Sequence, residues 1–235
     1  MSEQLLDPEE IANPDISELE IEDGKPVGNF QSDKQRRLLI EPLYSSSVLP
    51  RPFIAASNVG VFNALRLDPV VPDALLSLNV QMPTDWSQKQ NRSYFVWEFD
   101  KIPEIGIEIV SNRKGKELGA TKDDYARIGF AYYVVFDPLK QIQEAEQMNG
   151  ALLRVYVLTG GLYVELEEVH WLEAVGLGLT LWSGTFEDTP GLWLRWCDHQ
   201  GQVILTGAES RDLERQKAAR LAERLREMGV DPDTI

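Results

Sequence analysis

Histidine and cysteine are nearly missing from this chain. Its 235 residues hold two histidines, His170 and His199, and one cysteine, Cys197. A single cysteine excludes a disulfide framework within the chain and suits a reducing cytoplasm, the compartment expected here. So few soft ligands argue against a structural zinc site. Long apolar runs are missing too. Nothing approaches the roughly 18 consecutive apolar residues of a membrane span. The first ten residues lack the basic and apolar regions of a signal peptide, so neither export nor a membrane is expected. Positive charge is scarce: 23 Lys and Arg stand against 38 Asp and Glu, a net charge of −15. A general nucleic-acid binder is usually basic, so this balance lowers the prior for that class.

The shortage of bases is uneven. Residues 1–24 carry nine acids (Glu3, Asp7, Glu9, Glu10, Asp15, Glu18, Glu20, Glu22, Asp23) and no base. Residues 80–140 carry nine bases and nine acids, so the centre of the chain is neutral. Residues 1–24, acidic and poor in aromatics, read as a mobile N-terminal segment or a loose cap.

The remainder reads as a mixed α/β chain of ordinary apolar content, 43%. Residues 33–44 read as a helix with Leu38 and Leu39 inward, ended or bent by Pro42. Strand material follows at 53–56, 59–62, 71–78 and 94–99. The nearly continuous apolar run 105–111 reads as a buried central strand. A helix is expected over 116–128, stopped by Gly129, then a buried strand over 131–138. Short strands at 152–158, 161–166, 177–182 and 192–196 read as antiparallel additions. A C-terminal helix at 209–228 carries Leu213, Leu221, Leu225 and Met228 along one stripe. The expected organisation is thus an N-terminal segment 1–24, a domain 25–206 with a β-rich extension from about 151, and a C-terminal amphipathic part 207–235.

Within this frame one residue is out of character. Glu108 sits in Ile105-Gly106-Ile107-Glu108-Ile109-Val110-Ser111, where a carboxylate is costly unless a cation or a proton compensates it. Alternation places Glu108 on one face with Gly106 and Val110, and the small Gly106 leaves room beside it. Asp73 follows Pro72 at the start of an earlier apolar run. Lys122 lies on the helical stripe of Leu118, Tyr125 and Gly129 and aims inward, whereas Asp123 and Asp124 point away. Two acids and a lysine are the parts of a site for one divalent metal and one activated water. A plain buried Glu108–Lys122 salt bridge explains the same spacing equally well.

The stretches Pro72-Asp73, Pro103-Glu104-Ile105-Gly106-Ile107-Glu108-Ile109-Val110-Ser111, Lys122-Asp123-Asp124-Tyr125-Ala126-Arg127-Ile128-Gly129 and Tyr132-Tyr133-Val134-Val135-Phe136-Asp137-Pro138 resemble the Uma-type restriction endonuclease family of bacteria. That family belongs to the PD-(D/E)XK nuclease superfamily. The resemblance spans roughly residues 20–170 and is strongest over 70–138. It implies a restriction-endonuclease-like fold, a mixed sheet flanked by helices, and Mg²⁺-dependent phosphodiester cleavage, with Mn²⁺ as a substitute. Asp73 matches the first metal-binding acid and Glu108 the second. The usual motif has lysine where this chain has Val110, and Lys122 matches a lysine moved to the next helix. The resemblance further implies that Asp73, Glu108 and the Ile109 carbonyl hold the metal, and that Lys122 orients the water or stabilises charge on the phosphate. The optional acid of the first helix has no clear match; Gln31 and Asp33 lie nearby.

DNA is therefore the expected substrate. Lys89, Arg92, Arg113, Lys114 and Lys116 are candidates for backbone contacts, though a solvated surface explains each one better. A homodimer is expected, since two strand cuts need two sites, with the C-terminal helix as its contact. The histidines, the Gly160-Gly161 and Gly176-Leu177-Gly178 turns, and Trp182, Trp193 and Trp196 read as packing or turns rather than chemistry. A non-catalytic binding or assembly protein on the same scaffold is the alternative, and fold alone does not decide between them.

Overall fold

The computed structural model describes residue 15 and residues 29–111, 117–166 and 171–232. The reading of residues 1–24 as mobile lies, apart from Asp15, outside the described residues. In chain order the elements are α1 (Phe30–Ser45), β1 (Phe53–Ala56), β2 (Val61–Phe62), β3 (Ala74–Leu78), β4 (Tyr94–Phe95), α2 (Val96–Phe99), β5 (Ile105–Ile109) and α3 (Ala120–Ile128). They continue with β6 (Tyr132–Phe136), β7 (Leu153–Thr159), β8 (Leu162–Glu165), β9 (Trp171–Leu172), β10 (Leu177–Phe186), β11 (Thr189–Cys197) and α4 (Gly207–Glu227).

Six strands form the main sheet in the order β1-β3-β5-β6-β7-β8. Every neighbouring pair in it is antiparallel except β5–β6. A parallel pair needs a crossover, and α3 supplies it, so this helix must cover one face of the sheet. The mixed sheet with flanking helices has the restriction-endonuclease-like architecture that the sequence implies.

Both faces are buried, which is why β5 and β6 read as unbroken apolar runs. One face carries Ile105, Ile107 and Ile109 against Leu39 and Leu43 of α1 and Leu194 and Trp196 of β11. The other carries Leu75, Val110, Tyr133 and Val135 against Tyr125 and Ile128 of α3.

Several expectations shift. Helix α1 starts at Phe30, where Asn29 caps it by accepting from the Ser32 N–H at 2.8 Å. It runs through Pro42 to Ser45, because a proline in the last turn forfeits only its own hydrogen bond; the Ser46 N–H still donates to the Pro42 carbonyl. The β-prone run 94–99 is strand only at Tyr94 and Phe95, then turns into α2. The late strands are not all additions to one sheet. β7 and β8 extend it, whereas β9, β10 and β11 form their own antiparallel sheet. On the expected stripe of α4, Leu213, Leu221 and Met228 are 41%, 63% and 71% exposed and Leu225 is half-buried.

The second sheet is tied to α1 by a side chain that imitates a strand. Gln35, fully buried, donates from Nε2 to the Leu194 carbonyl at 2.8 Å and accepts from the Leu194 N–H at 3.0 Å. Trp196 adds an indole hydrogen bond to the Leu39 carbonyl at 2.7 Å. At the far end Arg195 grips Glu209 through two contacts of 2.7 and 2.6 Å, and Glu209 closes the capping box of α4 with Thr206.

Replacing Gln35 by Leu leaves the Leu194 N–H and carbonyl buried without partners. Each orphaned group costs about 1–3 kcal/mol, so Gln35→Leu is expected to lower unfolding stability by roughly 2–4 kcal/mol in urea titration. A loss below about 0.5 kcal/mol would show that the bridge contributes little beyond packing.

Candidate active site

The strand register brings the two sequence-predicted acids together. β3 pairs with β5 through Leu75–Gly106 and Ala74–Ile107. One further step in that register sets Asp73 opposite Glu108, on the face that carries Leu75 and Val110. Glu108 is the one partly exposed residue of β5, a strand otherwise buried.

Each acid has its own fixtures. Asp73 Oδ2 accepts from the Ile109 N–H at 2.8 Å, and Oδ1 accepts from the Arg36 guanidinium at 3.0 Å. Burial pushes its pKa up, and those two contacts hold part of the rise back. Glu108 Oε1 accepts from the Tyr125 hydroxyl at 2.6 Å. Its pKa stands well above the ordinary carboxylate range, first through burial and then through the negative charge of Asp73. The Tyr125 hydrogen bond opposes that rise and Glu117 adds to it. Two like charges on adjacent strands resist joint ionisation.

Gly106 makes this geometry possible. A Cβ built on it falls 2.3 Å from a ring carbon of Tyr125, far inside van der Waals contact. The room beside the carboxylate is therefore filled by the tyrosine ring, whose hydroxyl then reaches Glu108.

Lys122 is half-buried on α3, but it does not meet Glu108. Its Nζ lies over the Tyr156 ring, 4.7 Å from the centroid. Tyr156 belongs to β7, paired with Tyr133 of β6, which is itself paired with Gly106 of β5. The lysine thus rests two strands away from the acid, about 10 Å at the usual strand spacing. The Glu108–Lys122 salt bridge, the alternative explanation of that spacing, does not form, and Tyr125, three residues further along α3, bonds Glu108 instead.

Two members of the site escaped the sequence reading. Arg36 faces Asp73 and also lies 4.0 Å from Asp33, which makes an acid–base–acid chain from α1 to β3. Glu117, in the turn before α3, has a buried Oε2 without a hydrogen-bond partner among the described residues. Among the described residues no group of three or more His, Cys, Asp or Glu side chains is arranged to hold a metal ion. The donors are nevertheless of the kind a hard divalent cation takes. Two carboxylates disfavour their charged forms, an orphaned Glu117 oxygen lies nearby, and the Ile109 peptide faces Asp73. A residue's N–H and C=O leave a strand on the same side, and a small hard cation takes one or two carboxylates and fills its other positions with water.

Of the basic candidates, Arg92 folds back onto its own loop, donating to the Trp86 and Ser87 carbonyls at 2.9 Å each. Lys89 sits in a short 3₁₀ turn, Lys89–Asn91. Arg113, Lys114, Lys116 and His170 lie outside the described residues. His199 stacks on Trp171, and Trp193 and Trp196 are core. No described helix is long and apolar enough to cross a membrane.

A family model, Uma2, described as "Putative restriction endonuclease", matches residues 10–180. No curated protein matches the chain.

The Glu108 environment sets a pH dependence. Its folded pKa lies above the unfolded one, so between the two values the folded state binds more protons and stability falls as pH rises. Glu108→Gln keeps an acceptor for Tyr125 and removes the charge. Its urea midpoint is expected to exceed that of the wild type at pH 8 and to converge on it near pH 4. A gap of constant size across that range would mean that Glu108 does not titrate as described.

Proposed function

Because this chain belongs to the Uma2 restriction endonuclease family, we propose that it is a Mg²⁺-dependent DNA endonuclease that hydrolyses phosphodiester bonds, with Mn²⁺ able to replace Mg²⁺. The observation that carries the proposal is the pairing of Asp73 and Glu108 across β3 and β5, with both charged forms disfavoured. Asp73, Glu108 and the Ile109 carbonyl would hold the ion. Bound there, it supplies a polarised phosphate oxygen and a water of lowered pKa.

The chain's own groups do the rest. The Ile109 N–H and Arg36 fix the Asp73 carboxylate from two sides, and Tyr125 orients Glu108. Such fixed supports keep acidic ligands in place between turnovers. Lys122 is assigned to the attacking water or to the charge that develops on the phosphate. Its contact with Tyr156 is a cation–π attraction of about 0.5–1 kcal/mol at a partly open site. An anionic phosphate is a stronger partner than that, so the resting position does not bar the role. We further assign residues 25–206 to one nuclease domain preceded by the acidic segment, and a homodimer through residues 207–235.

One observation favours a second reading, a binding or assembly protein on this scaffold. Arg36 already neutralises Asp73, and Lys122 stands apart from Glu108.

Supercoiled plasmid separates the two. Wild type with Mg²⁺ or Mn²⁺ is expected to nick it. Asp73→Ala and Glu108→Ala should abolish nicking, and Lys122→Ala should slow it about 10²-fold, the usual loss for one transition-state contact. If wild type leaves the plasmid intact across metals and substrates, the second reading stands. If Lys122→Ala cuts at the wild-type rate, the lysine is not part of the machinery.

A further inference from the structure

Beside the two acids lies a cavity of about 380 Å³, on the same face of the main sheet. Its floor includes Ile54 of β1 and Leu75 of β3, and its walls include Trp86, Tyr94 and Phe99. Leu75 is two residues from Asp73 and shares its face. At a rise of about 3.4 Å per residue the cavity therefore starts roughly 7 Å from the acid. That is about two steps of a stacked nucleic-acid strand, which advances about 3.4 Å per nucleotide.

The walls are firmly held. Tyr94 stacks on Phe99 with centroids 4.4 Å apart, and its hydroxyl bonds to Ser77 at 2.8 Å. Trp86 is 65% exposed, yet its indole N–H donates to the Pro83 carbonyl at 2.7 Å. Asn91 and Arg92 both line the cavity and pin the same loop, through the Asp85, Trp86 and Ser87 carbonyls. Trp86 and Met82, 65% and 36% exposed, lie together on the lining as an open apolar patch. The volume lies near the lower end for small-ligand sites, which bury most of a one- or two-ring molecule.

We propose that this cavity takes one unstacked base of the nucleic-acid strand whose phosphate lies at Asp73 and Glu108. The proposal rests on the nuclease reading and deepens it. The chain then recognises a single-stranded or locally opened substrate, because a base can stack on these walls only after leaving its own stack. Aromatic walls with few hydrogen-bonding groups favour stacking over base identity.

The test uses the full chain carrying Glu108→Gln, so that substrate stays uncut, with Mg²⁺ and a single-stranded oligodeoxynucleotide that contains 5-iododeoxyuridine. Irradiation is expected to join the base to Trp86, Tyr94 or Phe99, as mapped by peptide mass spectrometry. Ala56→Phe fills the cavity from β1 and should remove most of the adduct. Trp86→Ala, at an exposed position, should weaken oligonucleotide binding roughly 5- to 150-fold, the loss of one base–aromatic stack. Adducts that map elsewhere, or that persist in Ala56→Phe, overturn the proposal. So does the absence of any adduct. Plasmid nicking by wild type then decides the fate of the nuclease reading separately: nicking without pocket adducts removes the base site alone, and neither result removes both.

Discussion

Two carboxylates face each other across one strand pair, and most of the local packing answers the cost of that arrangement. A buried acid needs a proton, a cation or several donors. Asp73 has a guanidinium and a backbone N–H. Glu108, among the described residues, has a tyrosine hydroxyl, and burial and the charge of Asp73 raise its pKa. The asymmetry follows from the fold. Asp73 stands at the start of β3, within reach of α1 and the end of β5. Glu108 stands inside β5, where the neighbouring backbone groups are already committed to strand pairing.

The parallel β5–β6 pair makes this site possible. It forces a crossover through α3, and α3 delivers Tyr125 over Gly106. A larger residue at 106 would expel the ring and leave Glu108 without its donor. The same helix covers the sheet only from β5 outward. On the β1–β3 side the face is instead walled by the loop around Trp86, Tyr94 and Phe99, which leaves a cavity next to the acids. Site and cavity thus share one face of the main sheet, linked through Leu75, two residues from Asp73.

Much of this was legible in the sequence because it obeys short-range periodicity. β5 and β6 announced themselves as apolar runs, α3 by its stripe and Gly129, and the acids by their place within apolar strands. The Glu108–Lys122 meeting did not follow, because helical spacing tells which way a side chain leaves the helix and not which strand it overhangs. Tyr125 lay on the same stripe and was nearer. Arg36 was hidden in the charged run Asp33-Lys34-Gln35-Arg36-Arg37. Its signal was the spacing of Ser32, Gln35, Arg36, Leu39 and Leu43, all buried on one side of α1. Reading polar residues into that stripe would have found both Arg36 and the Gln35 bridge. β9 is two residues long, too short for any periodic pattern, and the separation of the two sheets depends on long-range pairing that local pattern does not encode.

The charge balance constrains how such a chain would meet DNA. At −15 overall, nonspecific affinity by counterion release would be small. Arg92 is turned toward its own loop, Arg36 toward Asp73, and Lys122 toward an aromatic ring. Binding energy must then come from short-range terms at the gap itself. On the proposed function, Asp73 and Glu108 would hold a divalent ion, which would offset their mutual repulsion and supply positive charge for the phosphate. A base stacked against Trp86 adds a term that does not depend on net charge. An acidic endonuclease of this design would ignore most duplex DNA and act where a strand is already open, a selectivity that a basic surface would erase.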